Sequence, residues 1–212
     1  MYLSAFTLDI HSHAVQQCFA NSHDMHRTIM SGFGQFNGEN PRQTAAVLYR
    51  LDTTGREIKL YVTSSDEPVW GDIERQGFHK VGTKNITEAQ KGIVKGGEYV
   101  FDLLASPSKK EGREGKNSRR VPLNTLKERT DWLHSKAEQN GFAIQWVRED
   151  GNIRVSVKKE KGAENTYHRG VRFRGRLTVL NEGLVQSAFE KGIGPGKPYG
   201  FGLLMLFPSG GA

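Results

Sequence analysis

One short run constrains the fold of this chain more than any other. Residues 171–179, VRFRGRLTV, alternate between apolar and basic side chains, and successive side chains of a β-strand point to opposite faces. The apolar face carries Val171, Phe173, Leu177 and Val179, and the basic face carries Arg172, Arg174 and Arg176. The run therefore predicts a strand with one face in a core and one face of arginines.

The first half of the chain follows the order β-α-β-β. Its predicted strands lie at 2–10, 45–52 and 57–64. A turn at Thr54-Gly55 joins the last two into a hairpin. Asn21 or Ser22 can cap a helix that runs to about residue 33. The stretch 66–95 is irregular and holds one weak strand near 77–82.

The second half shows a similar order without sequence repetition. Its predicted strands lie at 98–106, 142–149, 152–159, 171–179 and 201–207, and its predicted helices at about 125–140 and 184–189. The dipeptide Asp150-Gly151 is a strong turn signal and predicts a hairpin between 142–149 and 152–159. We therefore predict an α+β chain of two tandem ferredoxin-like (RRM-like, βαββαβ) domains, residues 1–95 and 96–212.

The composition indicates a soluble globular protein with an anionic partner. The 212 residues are 36% hydrophobic and 25% charged, no apolar run approaches the ~20 residues of a membrane span, and no signal peptide is recognisable. Cys18 is the single cysteine, which excludes an intrachain disulfide and a multi-cysteine metal site and favours the cytoplasm. The net charge of +7 favours a polyanionic partner.

Residues 21–28, NSHDMHRT, gather three side chains that handle protons or phosphate. His23 and His26 are one helical turn apart, and Arg27 lies about 100° around the helix from His26. Histidine suits either acid or base catalysis because its unperturbed pKa is about 6.5. A solvated helix face remains an alternative. A metal site is less favoured because Asp24 points off the histidine face.

Two other features suit a phosphate-rich ligand. Basic residues cluster around a loop predicted over 107–120, at Lys109, Lys110, Arg119 and Arg120, and again at Lys158, Lys159 and Lys161. The run 192–202, GIGPGKPYGFG, is not a P-loop, because Pro198 replaces the required Ser or Thr. Gly194 and Gly196 would let another backbone approach, and Lys197 would meet a phosphate. A tight helix-to-strand connection is the alternative.

The helix and the following GIGPGKPYGFGLL (192–204) resemble the carboxy-terminal signature of the RAMP proteins of CRISPR systems. Within them the chain is most similar to the CasE family of RNA-processing endoribonucleases. The opening MYLSAFTLD, the run Asp24-Met25-His26-Arg27, the segment LLASPSKK and the following RVPL match that family in order and spacing. The resemblance covers nearly the whole chain, and the glycine motif is specific to the family.

This resemblance implies two ferredoxin-like domains that bind the hairpin of CRISPR repeat RNA and cut it without a metal or cofactor. The expected products carry a 2′,3′-cyclic phosphate and a 5′-hydroxyl, and the enzyme stays on as a subunit of the Cascade complex. His26 matches the family's catalytic histidine, and His23 stands where members often carry Tyr. Lys158, Lys159 and Lys161 match the place of a basic hairpin that binds RNA.

Two other functions compete with this expectation. A catalytically silent RNA-binding subunit of the same complex is the first, because related RAMP proteins bind guide RNA without cutting it. A metal-dependent nuclease or phosphodiesterase that uses the histidines is the second, and the chain has no dense carboxylate cluster to support it. His26 in the family motif favours the endoribonuclease.

Overall fold

The computed structural model describes residues 1–34, 46–55, 57–112, 119–157 and 166–209. The strands are β1 Tyr2–Leu8, β2 Leu48–Thr54, β3 Glu57–Ser64, β4 Phe78–Asn85, β5 Glu98–Ala105, β6 Ser108–Glu111, β7 Arg119–Pro122, β8 Phe142–Val157, β9 Thr166–Val179 and β10 Leu204–Pro208. The helices are α1 His13–Ala20, α2 Ser22–Met30, α3 Gly71–Glu74, α4 Thr87–Lys91, α5 Leu126–Gln139 and α6 Glu182–Lys191. Single 3₁₀ turns occupy Ser31–Phe33 and Lys197–Tyr199.

Two four-stranded antiparallel sheets organise the chain. The first has the order β2-β3-β1-β4 and the second the order β10-β5-β9-β8. Each is the strand order of a βαββαβ unit, in which the first and third strands lie at the centre. The prediction of two tandem ferredoxin-like domains is therefore confirmed. The boundary between residues 95 and 96 stays a prediction, although the strands of the two sheets are separated by residues 86–97.

Each sheet buries one apolar face under helices, as the alternating sequence patterns require. In the first domain, Phe6 and Leu60 from the central strands pack with Met25 of α2. In the second, Phe101, Phe173 and Leu133 form the corresponding core under α5. All six are at most 1% exposed, and full burial of such a side chain contributes about 1.5–3 kcal/mol. The core thus fixes α2, the helix that carries the two neighbouring histidines, against the first sheet.

The open faces of the two sheets meet through a network of charges. Arg50 of β2 is completely buried and donates to Asp52 in its own strand and to Asp102 of β5, at 2.7 and 2.9 Å. Arg172 of β9 donates to both carboxylates, at 3.2 and 2.6 Å. Arg174 adds a bond of 2.9 Å to Asp102. Of the arginines that the alternating run placed on one face, Arg172 thus bonds across to Asp52 of the first domain, whereas Arg174 bonds to Asp102 within the second domain.

The prediction of a hairpin across Asp150-Gly151 is wrong. Residues 142–157 form one continuous strand, β8, which pairs with β9 along its length. The register shifts between Glu149 and Asn152, so Asp150-Gly151 forms a bulge rather than a turn. Gly151 has a positive φ of 106°, and a positive φ at glycine serves a bulge as well as a tight turn. The local signal was therefore real but did not distinguish the two structures.

Several other predictions need correction. The predicted loop over 107–120 contains a two-stranded hairpin, in which β6 pairs with β7. The segment before Asn21 forms α1, which the sequence did not predict, and the extended backbone of Asn21 separates it from α2. The predicted strand 2–10 ends early, at Leu8, and Ile10 beyond it is 45% exposed. Leu126, the first residue of α5, is 61% exposed because the packed face of the helix begins further along.

Candidate active site

The first part of the site is the exposed side of α2. The Asn21 side chain accepts a hydrogen bond from the backbone N–H of His23 at 3.2 Å, which caps the helix. Met25 and Ile29 face the core, so the helical period turns His23 and His26 to the accessible side. His23 is exposed and His26 is partly buried. The one-turn spacing predicted for the two histidines is thus present on a well-capped helix.

Arg27 takes a different direction from the two histidines. Its guanidinium donates to the carboxylate of Asp24 at 2.6 Å, and its side chain is 82% exposed. An exposed ion pair of this kind contributes little to stability, typically below about 1 kcal/mol. It does orient Arg27 along the helix towards Asp24. The role of Arg27 in binding RNA stays a prediction.

The second part of the site is the 3₁₀ turn Lys197–Tyr199 in the glycine-rich run. Gly196 and Gly200 flank this turn in the left-handed conformation, with φ of 81° and 85°. The hydroxyl of Tyr49, on β2, donates to the carbonyl of Pro198 at 2.9 Å. Burial raises the pKa of Tyr49, which keeps that donor protonated. This hydrogen bond holds the turn Lys197–Tyr199 of the second domain against β2 of the first domain.

Tyr199 joins three elements in one aromatic contact. The ring of His23 on α2 meets the Tyr199 ring edge-on, with centroids 5.7 Å apart and planes at 86°. On β9, His168 stacks on the same Tyr199 ring at 4.3 Å and 22°. Burial lowers the pKa of His168 below its ordinary value. This cluster, His23–Tyr199–His168, brings α2, the glycine-rich run and β9 together.

Sequence reasoning missed His168 and Tyr199. His168 follows a tyrosine and precedes Arg169 without any recognisable motif, and its pairing with Tyr199 spans about thirty residues of chain. The glycine motif includes Tyr199, but nothing in the motif itself marks this tyrosine as part of a site. Only the docking of the turn on α2 and β9 shows that the aromatic residue of the motif belongs there.

Internal packing explains why the run 192–202 is so rich in glycine. A Cβ atom on Gly194 would lie 2.9 Å from the ring of Trp132, and one on Gly196 would lie 2.8 Å from the ring of Phe201. Both positions also have positive φ. These contacts favour the tight-connection alternative for the two glycines. RNA binding by Gly194, Gly196 and the partly buried Lys197 stays a prediction.

The predicted basic clusters fall in two places. Lys109, Lys110 and Arg120 are exposed on the β6–β7 hairpin, and Arg119 lies opposite Glu111 in the backbone register of its two strands. Lys109 also lies 3.9 Å from Glu111 and 4.0 Å from Glu128. The second cluster, Lys158, Lys159 and Lys161, lies outside the described residues. β8 leads directly into that cluster from Val157.

Neither a metal cluster nor a membrane-spanning helix is found in the described ranges. Within the part of the chain that the structure describes, no three or more His, Cys, Asp or Glu side chains are grouped so as to hold a metal ion. The helices within the described ranges are all too short or too polar to cross a membrane.

Comparison with known proteins gives consistent matches over the full chain. The family model described as "CRISPR associated protein" matches residues 1–208. The CRISPR-associated endoribonuclease Cse3 of Thermus thermophilus is 29% identical over 220 residues, which cover 98% of this chain and 100% of the relative. A Cse3 endoribonuclease bound to a 19-nucleotide RNA superimposes with a TM-score of 0.85 at 28% identity, over 98% of this chain and 100% of that one.

A chain of a larger assembly also matches. The structure of a CRISPR RNA-guided surveillance complex in a pre-nicking state contains a chain with a TM-score of 0.72 and 27% identity. The match covers 97% of this chain and 99% of that chain. The similarity therefore extends over both domains, in the RNA-bound relative and in the chain of the larger assembly.

Proposed function

Since the chain belongs to the CRISPR-associated protein family, we propose that it is an endoribonuclease that binds the hairpin of CRISPR repeat RNA and cuts the precursor into guide RNAs. The observation that carries this proposal is the placement of His23 and His26 on one capped helix, at the point where both domains meet. The full-length similarity to an endoribonuclease bound to RNA supports the same substrate.

The reaction is an internal transfer of the phosphate, without a metal ion. The ribose 2′-oxygen attacks the neighbouring phosphorus, so that an O2′–P bond forms and the P–O5′ bond breaks. One group accepts the proton of the 2′-hydroxyl, and another gives a proton to the departing 5′-oxygen. The products are a 2′,3′-cyclic phosphate and a 5′-hydroxyl. His26 carries one of these proton transfers, because an imidazole changes charge near neutral pH.

The role of His23 follows from its contact. The family often carries Tyr at this position, and in this chain His23 packs edge-on against Tyr199. An aromatic ring of either kind satisfies that contact. We therefore propose that His23 supports the site by packing its imidazole against Tyr199, which holds that imidazole close to the substrate.

Binding of the RNA stem depends on phosphates and shape. The deep, narrow major groove of an A-form helix excludes most side chains, so basic residues on slender hairpins meet the backbone and the ends of the stem. Lys109, Lys110 and Arg120 are exposed on such a hairpin, at one end of β5. The net charge of +7 favours the same polyanion. Lys158, Lys159 and Lys161 are proposed as the second contact with the stem.

The product stays bound and brings the protein into a larger assembly. The match to a chain of an RNA-guided surveillance complex supports a place in such a complex, with guide RNA and other Cascade subunits as partners. The single cysteine, Cys18, is a buried free thiol, which suits the reducing cytoplasm where this RNA is made.

Incubation of the protein with the repeat RNA of its own host, in EDTA, tests the proposal. The expected result is one cut in each repeat, with a 2′,3′-cyclic phosphate on one fragment and a 5′-hydroxyl on the other. An RNA with a 2′-deoxyribose at the cut is the control, because it lacks the attacking oxygen and must stay intact. A parallel reaction in Mg²⁺ separates the alternatives. Tight binding without a cut in either reaction would identify a silent RNA-binding subunit, and a cut in Mg²⁺ but not in EDTA would identify a metal-dependent nuclease.

A further inference from the structure

The cleavage reaction needs two proton-transfer groups, and His26 supplies one of them. The remaining candidates are imidazoles at the contact between the domains. His23 and His168 both touch Tyr199 there, but they use it differently. His23 lies edge-on to the Tyr199 ring, whereas His168 lies nearly parallel to it, 4.3 Å away.

Stacking leaves the chemistry of His168 available. A stacked imidazole uses its face for packing, while both ring nitrogens lie at the edge. Among the described residues, none forms a hydrogen bond with the imidazole of His168, which is partly exposed. The ring is therefore held in one orientation without its nitrogens being occupied. General acid–base catalysis requires a side chain that is held in position while its nitrogen can still exchange a proton with the substrate.

The position of His168 is also suited to the substrate. β9 places His168 next to the turn that packs on α2, and His168 and His23 contact the same Tyr199 ring. The strand begins at Thr166, directly after the basic segment 158–165 that is proposed to hold the RNA stem. His168 is the third residue of this strand, so only two residues separate it in the chain from the proposed RNA-binding segment.

Resting on the endoribonuclease function proposed above, we infer that His168 is the general base of the cleavage and that Tyr199 is its positioning residue. Neutral His168 accepts the proton of the 2′-hydroxyl as the O2′–P bond forms. Protonated His26 gives a proton to the 5′-oxygen as the P–O5′ bond breaks. One proton is taken up and one is released, and exchange with water restores both imidazoles.

The protonation behaviour of His168 agrees with this assignment. Burial lowers its pKa, so a larger fraction is neutral near pH 7 than for an ordinary histidine. A neutral imidazole accepts a proton, as the base must. The titratable or charged groups that the described contacts place beside it are Arg169, next to it in β9, and Tyr199, whose ring His23 also contacts.

Two variants and one modified RNA test the assignment. His168→Phe keeps an aromatic ring on Tyr199 but cannot accept a proton, so it is expected to cut at least ~100-fold more slowly with RNA binding unchanged. His79→Phe, on the exposed strand β4 and outside the ring contacts, is the matched control and keeps the wild-type rate. Tyr199→Ala removes the stacking ring and is expected to slow the cut without a loss of affinity, and Tyr199→Phe, which restores the ring, is expected to recover most of that lost rate.

The modified RNA carries sulfur in place of the bridging 5′-oxygen at the cut. A thiolate departs without a proton, because a thiol pKa is about 8.5 and the leaving group of lower pKa departs faster. This RNA therefore restores cleavage by His26→Ala, which lacks the acid, and leaves His168→Phe slow, since the base is still needed.

The possible failures are distinguishable. If wild-type protein does not cut the unmodified repeat RNA, the proposed function and this inference fall together. If wild-type protein cuts and His168→Phe cuts equally fast, His168 only packs against Tyr199 and the inference alone is overturned. If the sulfur RNA restores His168→Phe and not His26→Ala, the base assignment is overturned because the two histidines have the opposite roles.

Discussion

The two domains meet through two contacts of opposite character. At the charge network, Arg50 is completely buried, and both of its carboxylate partners, Asp52 and Asp102, are shared with Arg172. At the aromatic cluster, the rings of His23, Tyr199 and His168 pack together, with His23 exposed and the other two partly buried. The first contact pairs its charges inside the protein. The second leaves imidazoles open to a ligand.

This difference separates the parts that hold the domains from the parts that react. Buried charges must be paired, since an unpaired one costs several kcal/mol. Such a network therefore sets one relative orientation of the two sheets. The aromatic cluster needs that orientation, because its three rings come from α2, the turn Lys197–Tyr199 and β9. We expect damage to the network to appear in stability and damage to the cluster to appear in rate.

The largest expected effect is on the charge network. Arg50→Ala removes the buried cation between Asp52 and Asp102 and should lower the free energy of unfolding by roughly 3–5 kcal/mol. Arg174→Ala is the matched control, because Arg174 also bonds to Asp102 but is 36% exposed, and its loss should cost less than about 1 kcal/mol. Urea unfolding of both variants measures the difference. Equal, small losses would show that the network does not hold the domains.

The network should also make the protein sensitive to acid. Burial raises the pKa of Asp102, but hydrogen bonds from Arg172 and Arg50 outweigh it and bring the pKa to about 2. A depressed pKa stabilises the fold above the unfolded value near 4 and loses that stabilisation as the pH falls towards 2. Asp102 alone should contribute roughly 2 kcal/mol in this window.

Unfolding free energies of wild type and Asp102→Asn, measured from pH 5 to pH 2.5, test this. The wild-type curve should fall more steeply than that of the variant, which lacks the titrating group. Parallel curves would place the acid sensitivity elsewhere in the chain.

At the aromatic cluster, a smaller effect is expected from His23. His23→Ala removes one edge-on contact with Tyr199, which is typically worth about 0.5–1.5 kcal/mol, so cleavage should slow by about 2- to 10-fold. His23→Tyr keeps a ring against Tyr199 and should retain substantial activity. Single-turnover cleavage of repeat RNA distinguishes the two. A larger loss for His23→Ala than for His26→Ala would reverse the roles of the two histidines.

The smallest expected effect concerns the basic hairpin, which lies outside both contacts. Lys109, Lys110 and Arg120 changed together to Ala should reduce the slope of log affinity against log salt by up to roughly 0.7–0.9 for each phosphate that is no longer neutralised. Lys127→Ala, an exposed lysine paired with Asp131, is the control and should leave the slope unchanged. If the triple variant has the same slope as wild type, the RNA does not contact this hairpin.

The sequence predicted the fold well where a pattern has one structural meaning. The alternation in 171–179 required a half-buried strand, and Val171, Phe173, Leu177 and Val179 are all buried there. The dipeptide Asp150-Gly151 is compatible with either a hairpin turn or a β-bulge. Pairing of β8 with β9 on both sides of it makes it a bulge. Local chemistry cannot reveal which partner strand a segment will meet.

For the candidate site, the same limit applies more strongly. His23 and His26 were predictable because four adjacent positions of one helix contain both. His168 was not, since only the packing of three distant segments brings it to Tyr199. Gly194 and Gly196 were conspicuous in the sequence as candidate RNA contacts, yet they pack against Trp132 and Phe201.

We propose that α2, with the rings packed on it, performs the cleavage and that the charge network only holds the two domains in position. Single-turnover cleavage and equilibrium binding of repeat RNA by His26→Ala test it most directly, with His134→Ala, an exposed histidine on α5, as the control. We predict a loss of at least ~100-fold in the cleavage rate, an unchanged affinity and an unchanged unfolding free energy. Cleavage by His26→Ala at a rate close to that of wild type and of His134→Ala would contradict the claim.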